Sequence, residues 1–152
     1  MKPVNYVPLI YLIALIIIPG CGPSDEQVKK VIKVGSEIAE LQRQYYPAIT
    51  ELGKVAVQIE AIGKRQDQTA KAIANDVTKA HELIVEAFAA GQKLQYRFPA
   101  APNLDVEKYI LAEEARKALL KDALDKTNVA VSKSHEVIEA MNNDPNKRIG
   151  KK

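Results

Sequence analysis

The chain has 152 residues, enough for one domain and at most a short appendage. Its 22 Lys and Arg residues and 19 Asp and Glu residues give a formal charge of +3. This balance argues against nucleic acid as a partner, because proteins that bind it usually present a basic face. A single Cys excludes an internal disulfide, and the absence of Trp, with only six Tyr and two Phe, favours packed helices over a β-sheet.

The first predicted element is a short apolar segment. Residues 9–18 read LIYLIALIII between Pro8 and Pro19, and Lys2 is the one charged side chain before them. A membrane-spanning helix needs about 20 apolar residues. The run is too short for that, so residues 1–20 fit a signal peptide that is removed better than a membrane span.

The signal segment ends in Ile18-Pro19-Gly20-Cys21, which places a small residue directly before the lone cysteine. This pattern resembles the lipobox of bacterial lipoproteins, and the resemblance covers only the first 21 residues. It implies that a signal peptidase cuts between Gly20 and Cys21. It also implies that the Cys21 thiol receives a diacylglycerol and that the new amino group is acylated, with chains such as palmitate.

The same resemblance implies where the protein is held. One acyl chain gives marginal membrane binding, with an association constant of about 10⁴ M⁻¹, whereas two or more chains hold a protein stably. We therefore expect a bacterial envelope protein anchored through Cys21, with residues 21–24 as anchor and spacer and the folded part in the periplasm. Gly22 replaces the aspartate that favours inner-membrane retention in many enteric bacteria, so the outer membrane is favoured in a host with two membranes.

The second predicted element is a long helix that begins just after the spacer. Ser24 and Gln27 form a predicted capping box, and Asp25 and Glu26 suit the positive end of the helix dipole. Apolar residues then recur in alternating steps of three and four, which predicts a coiled-coil-like seam. The ten seam positions are Val31, Val34, Ile38, Leu41, Tyr45, Ala48, Leu52, Val55, Ile59 and Ile62.

Two interruptions leave the course of this helix open. Pro47 costs about 3 kcal/mol in a helix interior. The seam nevertheless passes through it without an insertion, so we expect a kink and regard a break as the alternative. Further on, Gly63 could cap one helix and Asp67 could start another. Because the apolar stripe continues past them, one continuous helix is modestly favoured over a turn at residues 63–67.

Beyond residue 63 the apolar stripe weakens. Its regular positions there include three polar residues: Gln66, Thr69 and Asp76. Sliding the stripe by one residue, as a straight helix does, recruits three apolar residues instead: Ala70, Val77 and Ile84. The pattern therefore predicts that the packing surface rotates after about residue 63.

The clearest boundary is YRFPAAPNLD at residues 96–105. Pro99 and Pro102 stop the preceding helix, Asp105 can cap the next one, and we expect a turn near residues 98–104. The last helix is predicted over residues 105–142, followed by a loose basic tail at residues 143–152. Its stripe is predicted as Val106, Ile110, Leu120, Leu124, Val131, Ile138 and Met141, with Leu119, Ala123, Ala130 and Val137 beside it.

These elements predict an all-α fold in which residues 25–142 form one elongated helical domain. If residues 63–67 turn, three helices over 25–62, 67–97 and 105–142 make a three-helix bundle. If they continue the helix, one long helix pairs with the last one as an antiparallel hairpin. Both arrangements use a coiled-coil-like seam, and the sequence leaves both open.

Two similar segments, KAHELIVEA and KSHEVIEA, raise the question of a metal site. The candidate ligands are His81, Glu82, His135, Glu136 and Glu139. A zinc protease needs a second histidine four residues after the first, but positions 85 and 139 hold Val and Glu. A di-iron bundle needs glutamates where Thr78 and Ser132 stand. We therefore expect solvated helix surfaces here, with neither a metal nor a cofactor.

Other catalytic signatures are missing from the sequence, which has no Gly-x-Ser-x-Gly elbow and no glycine-rich phosphate loop. We therefore do not expect an enzyme. The aromatic residues form two groups, Tyr45 with Tyr46 and Tyr96 with Phe98 and Tyr109. We expect them to pack at the kink and at the connection between helices rather than to bind a ligand.

Function is then expected to lie in the anchor and the helix surfaces. We first expect a non-enzymatic lipoprotein that binds another envelope protein or itself. Examples of such proteins are exclusion lipoproteins of plasmids or phages and accessory proteins of secretion or conjugation machines. The alternative is a tether or spacer between membrane and cell wall. The chain resembles murein lipoprotein in its lipobox cysteine, heptad helix and final lysine, although it is much longer. That resemblance implies cell-wall contact through Lys151 and Lys152.

Overall fold

The computed structural model describes residues 23–95 and 105–143, and every regular element in these two ranges is an α-helix. Helix α1 is Asp25–Gly63, α2 is Gln68–Ala72, α3 is Ala74–Gln95 and α4 is Val106–Asn142. The three long helices share an apolar core, so the all-α prediction is confirmed. In the described ranges, no helical stretch has the length and hydropathy of a membrane span.

Helix α1 begins at the predicted capping box. The Ser24 hydroxyl accepts a hydrogen bond from the Gln27 backbone N–H at 3.3 Å, and the Gln27 side chain accepts one from the Ser24 backbone N–H at 2.9 Å. Asp25 and Glu26 occupy the first turn, where negative charge offsets the positive end of the helix dipole. Because two exposed backbone donors are satisfied, the helix starts where the sequence predicts.

Helix α1 continues through Pro47 without a break. Proline lacks a backbone N–H and therefore removes one helical hydrogen bond. The Pro47 ring lies on the exposed side of α1, whereas the neighbouring seam residues Tyr45 and Leu52 are both buried. The apolar seam keeps its register across the proline because core packing on both sides outweighs the lost hydrogen bond.

Helix α1 ends at Gly63, so our preference for one continuous helix through residues 63–67 is wrong. The backbone N–H of Arg65 donates to the Ile62 carbonyl at 3.0 Å and closes the last turn. Asp67 then caps α2 by accepting a hydrogen bond from the Ala70 backbone N–H at 2.9 Å. Local capping chemistry therefore stops one helix and starts the next within four residues.

The turn at residues 63–67 exists because it buries apolar surface. It folds Ala70 and Val77 back onto the end of α1, where they join Ile59 and Ile62 in one core cluster with Met141 of α4. Burial contributes about 25 cal/mol for each Å² of apolar surface. A straight helix would leave Ala70 and Val77 far from Ile59 and would lose that contribution.

Helices α1 and α4 run parallel. Glu37 of α1 lies 2.9 Å from Lys117 of α4, and further along both helices Glu51 lies 3.5 Å from His135. Residue numbers therefore rise together along the two helices. This direction requires the chain to travel back between them, which α3 does.

Helix α3 runs antiparallel to both neighbours. Near its start Asp76 pairs with Lys133 in the second half of α4 at 2.9 Å, and near its end Gly91 contacts the Tyr45 side chain of α1. The chain thus forms an up-down-up three-helix bundle, with the five-residue α2 leading into α3. The hairpin alternative is therefore wrong for this chain.

The predicted seam of α1 is confirmed, since all ten positions are buried or half-buried. Leu52, Val55 and Ile59 at its centre are at most 1% exposed. After the turn, the predicted rotation of the stripe is also confirmed. The three positions of the shifted stripe are all buried: Ala70, Val77 and Ile84.

The seam of α4 is more polar than the sequence predicts. Val131 and Ile138, which we placed in the core, are only half-buried, whereas Thr127 and Ser134 are fully buried. The Ser134 hydroxyl donates to the Ala130 carbonyl at 2.7 Å, which removes the cost of burying it. Small side chains at these positions let α4 approach the other two helices closely.

Candidate anchoring and interaction sites

The predicted anchor and tail residues lie outside the described residues: Gly20, Cys21, Lys151 and Lys152. What the structure adds is the position at which the bundle begins. The helix cap Ser24 follows Cys21 by three residues. Because an extended residue spans at most about 3.6 Å, Ser24 stays within about 11 Å of Cys21. Any lipid on Cys21 would hold the first turn of α1 close to the membrane surface.

The predicted connection near residues 98–104 and the aromatic residues Tyr96 and Phe98 also lie outside the described residues. The other aromatic residues can be placed. Tyr45 is buried in the seam, whereas Tyr46 beside it is 54% exposed, with ring centroids 6.4 Å apart. Burial raises the pKa of Tyr45. The packing prediction therefore holds for Tyr45, and it is wrong for Tyr46.

The His-Glu segments lie on two different helices and contact α1 from different sides. His135 of α4 lies 3.5 Å from Glu51. On α3, His81 lies close enough to Glu60 to lower its pKa, although the hydrogen bond from Lys64 is the larger cause. In the described part of the chain, no three His, Cys, Asp or Glu residues come together as potential metal ligands.

The remaining metal candidates point to solvent or pair locally. Glu82 and Glu139 are exposed, and Glu136 accepts a hydrogen bond from Lys133 at 3.3 Å. The five candidate ligands are therefore not gathered into one site. Helical periodicity explains this, because residues on α3 and α4 that lie outside the seams face away from each other.

A charged edge joins α1 to α4. Lys117 contacts both Glu37 on α1, at 2.9 Å, and Glu114 on its own helix. Hydrogen bonds to Glu114 and Glu37 raise the pKa of Lys117, and the bond from Lys117 lowers the pKa of Glu37. Exposed pairs of this kind contribute at most about 1 kcal/mol, so their main effect is to favour one helix register.

A second charged edge joins α3 to α4. Lys133 lies 2.9 Å from Asp76 on α3 and 3.3 Å from Glu136 on α4. Hydrogen bonds to Asp76 and then Glu136 raise the pKa of Lys133. These charged residues lie beside the apolar seam. Coiled coils place at such positions the charges that select the partner helix and its orientation.

The third side of the bundle, between α1 and α3, carries several exposed apolar side chains. We call it the α1–α3 face and define it by Tyr46, Gly53 and Val57 on α1 and Val85 and Phe88 on α3. The four large side chains are exposed, at 54%, 68%, 54% and 41% for Tyr46, Val57, Val85 and Phe88. Gly53 leaves open space, with nothing within 4 Å of where its Cβ would be.

Helix register places Gly53 near the part of α3 that carries Phe88. Glu60 and His81 lie close to each other across the α1–α3 edge. Gly53 precedes Glu60 by seven residues, and Phe88 follows His81 by seven. Two turns along each antiparallel helix lead to the same height and the same flank. Gly53, which has no side chain, therefore lies near the exposed Phe88 side chain.

The sequence did not predict this face, although a signal for it exists. The face residues fall between the seam positions, where helices usually carry charges. From Ala48 to Val57, the positions outside the seam on this side of α1 are Ile49, Thr50, Gly53, Ala56 and Val57. A helical wheel of α1 shows these uncharged residues on one side of the helix and charged residues on the opposite side. Which helix lies beside the uncharged side depends on the turn at residues 63–67.

No family model, curated protein or solved structure matches this chain.

Proposed function

We propose that this chain is a lipid-anchored protein of the bacterial cell envelope that acts through the surface of its helical bundle and does not catalyse a reaction. One observation carries the proposal. The lipobox-like Ile18-Pro19-Gly20-Cys21 is followed, three residues after the cysteine, by the capped start of a continuous bundle helix. An anchor and a folded domain are thus joined with almost no linker.

Acylation of Cys21 supplies the membrane affinity in this proposal. Acyl chains contribute about 0.8 kcal/mol for each buried CH₂, and two or more chains hold a protein stably. The short spacer then keeps the first turn of α1 at the membrane surface. Helix α1 has 39 residues, and a helix of that size is about 58 Å long. The bundle can therefore present a surface well away from the lipid headgroups.

The bundle surface is the binding element in this proposal. Its partner is another envelope protein or a second copy of the chain. Exclusion proteins and accessory proteins of secretion or conjugation machines need such a partner. The α1–α3 face supports this role, because contiguous exposed apolar surface rimmed by polar residues marks interaction sites. The outer membrane is the proposed location in a host that has one.

The substitution Cys21→Ser tests the anchor. We expect loss of acylation and of cleavage, measured as the intact mass of the protein purified from bacterial membranes and by incorporation of labelled palmitate. Ser24→Ala is the matched control, because it removes the helix cap while leaving the cysteine in place. A Cys21→Ser protein that is cleaved normally, stays in the membrane and keeps its lipid would contradict the proposal.

A tether to the cell wall is the second candidate function, and the basic tail supports it. The last six residues hold four cations, Lys147, Arg148, Lys151 and Lys152. Such a segment can contact acidic lipid or cell wall. Digestion of purified cell wall should release peptides in which Lys152 carries added mass. Complete extraction of the protein by detergent, with Lys152 unmodified, would rule the tether out.

A further inference from the structure

The helices place the two ends of the chain at opposite ends of the bundle. Helix α1 begins close to Cys21 and ends at Gly63. Helix α4 runs parallel to α1 and ends at the same end of the bundle, where Met141 packs in one core cluster with Ile62. The chain therefore leaves the bundle after Asn142, at the end remote from Cys21.

This placement depends on the three-helix topology. In a helical hairpin, the last helix would run back toward the anchor and bring residues 143–152 close to the membrane. Two contacts between α1 and α4 exclude that direction. They join Glu37 to Lys117 at 2.9 Å and, further along both helices, Glu51 to His135 at 3.5 Å.

Residues 143–152 carry an excess of positive charge. Four of them are cations: Lys147, Arg148, Lys151 and Lys152. Asp144 is the one acidic residue in this segment. A segment of this composition binds acidic surfaces by electrostatic attraction.

The turn at the same end of the bundle has cations whose charge is already balanced. The Lys64 ammonium group lies 2.6 Å from the Glu60 carboxylate, and Arg65 pairs with Asp67. The excess positive charge at this end therefore comes from residues 143–152.

We propose that residues 143–152 bind an acidic polymer of the cell wall, at the end of the bundle remote from the membrane. The inference rests on the proposed function, since it takes Cys21 as the membrane anchor and the bundle as pointing away from the lipid. The binding is electrostatic and requires no covalent bond to Lys152. Its strength should fall as salt is added, because salt screens interactions between exposed charges.

Chain length favours the cell wall over the membrane that holds the anchor. An extended residue spans at most about 3.6 Å, so Lys152 stays within about 32 Å of Asn143. Helix α1 has 39 residues, which make a helix about 58 Å long. The basic segment of an upright bundle therefore cannot return to its own membrane, and its cations are available to a partner further into the envelope.

Cosedimentation with purified cell-wall sacculi tests the attachment. The full acylated chain is placed in phosphatidylcholine vesicles, which are then pelleted with the sacculi at low and at high salt. The variant carries four substitutions: Lys147→Gln, Arg148→Gln, Lys151→Gln and Lys152→Gln. We expect it to lower the pelleted fraction at low salt at least fivefold, and high salt should lower that of the wild type to a similar extent.

The matched control removes the same charge at the anchor end of the bundle. Four exposed lysines near the starts of α1 and α4 are replaced by glutamine: Lys29, Lys30, Lys33 and Lys108. This variant should keep the pelleted fraction within twofold of the wild type. A loss as large as that of the first variant would show that total charge matters and not the position of the cations, which overturns the inference.

Fluorescence quenching reads the position of the basic segment independently. A dye is attached to Ile149→Cys, or for comparison to Glu26→Cys in the first turn of α1. The vesicles contain anionic lipid and a lipid with a nitroxide on its headgroup. We expect at least fivefold weaker quenching at residue 149 than at residue 26. Equal quenching would show that the segment lies on its own membrane and would overturn the inference.

The outcomes separate this inference from the proposed function. An acylated chain that does not pellet with sacculi, or that pellets equally without the four cations, overturns the cell-wall attachment and leaves the anchor standing. A chain without acyl groups overturns the anchor, and cosedimentation of that chain in solution with sacculi then still tests the attachment.

Discussion

Gly91 shows how one missing side chain sets a helix contact. It lies at the α3 position that packs on Tyr45 of α1, and a Cβ there would be 2.5 Å from the Tyr45 hydroxyl oxygen. Tyr45 is only 8% exposed, so its ring cannot swing away without opening the seam. Any larger residue at this position would force the Tyr45 hydroxyl to shift, so the glycine permits the close approach of α1 and α3.

Gly91→Ala should destabilise the protein by about 1–3 kcal/mol through overpacking, despite a gain of about 1 kcal/mol in helix propensity. The measurement is urea unfolding of the full chain in detergent, followed by circular dichroism. Gly53→Ala is the control at an open position, and it should stabilise the protein by about 0.5–1 kcal/mol. Equal and favourable shifts for both variants would show that Gly91 does not hold Tyr45.

Thr127 is a second residue whose side chain by itself affects the stability of the fold. Its side chain is fully buried, and its hydroxyl has no hydrogen-bond partner among the described residues. Burying an unpaired hydroxyl costs about 1–3 kcal/mol by mutational measures. Thr127 nevertheless keeps the β-branched shape that fills the α4 seam, so its packing outweighs that cost.

At the scale of the element, local ion pairs stabilise the exposed face of α1. Glu40 accepts two hydrogen bonds from Arg43, at 2.9 and 2.8 Å, and one from Gln44 at 2.8 Å. The bond from Arg43, then that from Gln44, lowers the pKa of Glu40 to about 2. Glu51, Glu60 and Asp105 also have lowered pKa values because of neighbouring lysines.

These lowered pKa values predict acid sensitivity. A carboxylate whose pKa is lower in the folded state stabilises the fold above its unfolded pKa, and that contribution is lost as the pH falls through the folded pKa. For Glu40 the window runs from the ordinary glutamate pKa of 4.5 down to about 2. Stability should therefore fall as the pH is lowered across this window.

Glu40→Gln should make the unfolding midpoint less dependent on pH between pH 4.5 and about 2. Urea midpoints at several pH values measure the slope. Glu26→Gln is the control. Glu26 is an exposed residue in the first turn of α1, and its carboxylate lies 3.0 Å from the Lys30 ammonium group. Parallel pH profiles for wild type and Glu40→Gln would contradict the prediction.

At the scale of the whole molecule, cross-helix charge pairs select one register for the bundle. Asp76 on α3 and Lys133 on α4 are separated by 57 residues in sequence but lie 2.9 Å apart. They meet because α3 runs antiparallel to α4, so the chain reverses its direction between these two helices. The pair therefore reports on topology rather than on local helix formation.

Lys133→Glu should destabilise the protein, because it replaces attraction to Asp76 and Glu136 with repulsion. The double variant Asp76→Lys with Lys133→Glu should recover part of the loss, with a coupling energy of about 0.5–1 kcal/mol for an exposed pair. Urea unfolding of the four proteins in the double-mutant cycle gives this value. A coupling energy of zero would show that α3 and α4 do not pack in this register in solution.

Much of the fold follows from the amino-acid sequence because it depends on local chemistry and periodicity. Ser24 and Gln27 set the start of α1 through hydrogen bonds between near neighbours. The ten-position seam repeats at a spacing that only a helix brings to one side. The sequence also predicts the shift of the stripe to Ala70 and Val77, although the turn at residues 63–67 produces it and not the drift of a straight helix. The lipobox-like segment around Cys21 is likewise a local pattern, and the anchor it predicts awaits the Cys21→Ser experiment.

Tertiary structure decided the features that depend on competition between distant parts of the chain. Whether Gly63 ended a helix was settled by the apolar surface that Ala70 and Val77 bury on Ile59 once the chain turns back. The same packing placed Thr127 and Ser134 in the α4 seam, where the sequence pattern favoured Val131 and Ile138. It also brought Gly53 and Phe88 to one side of the bundle. Periodicity defines which residues share a side of one helix, but only packing determines which helix lies beside it.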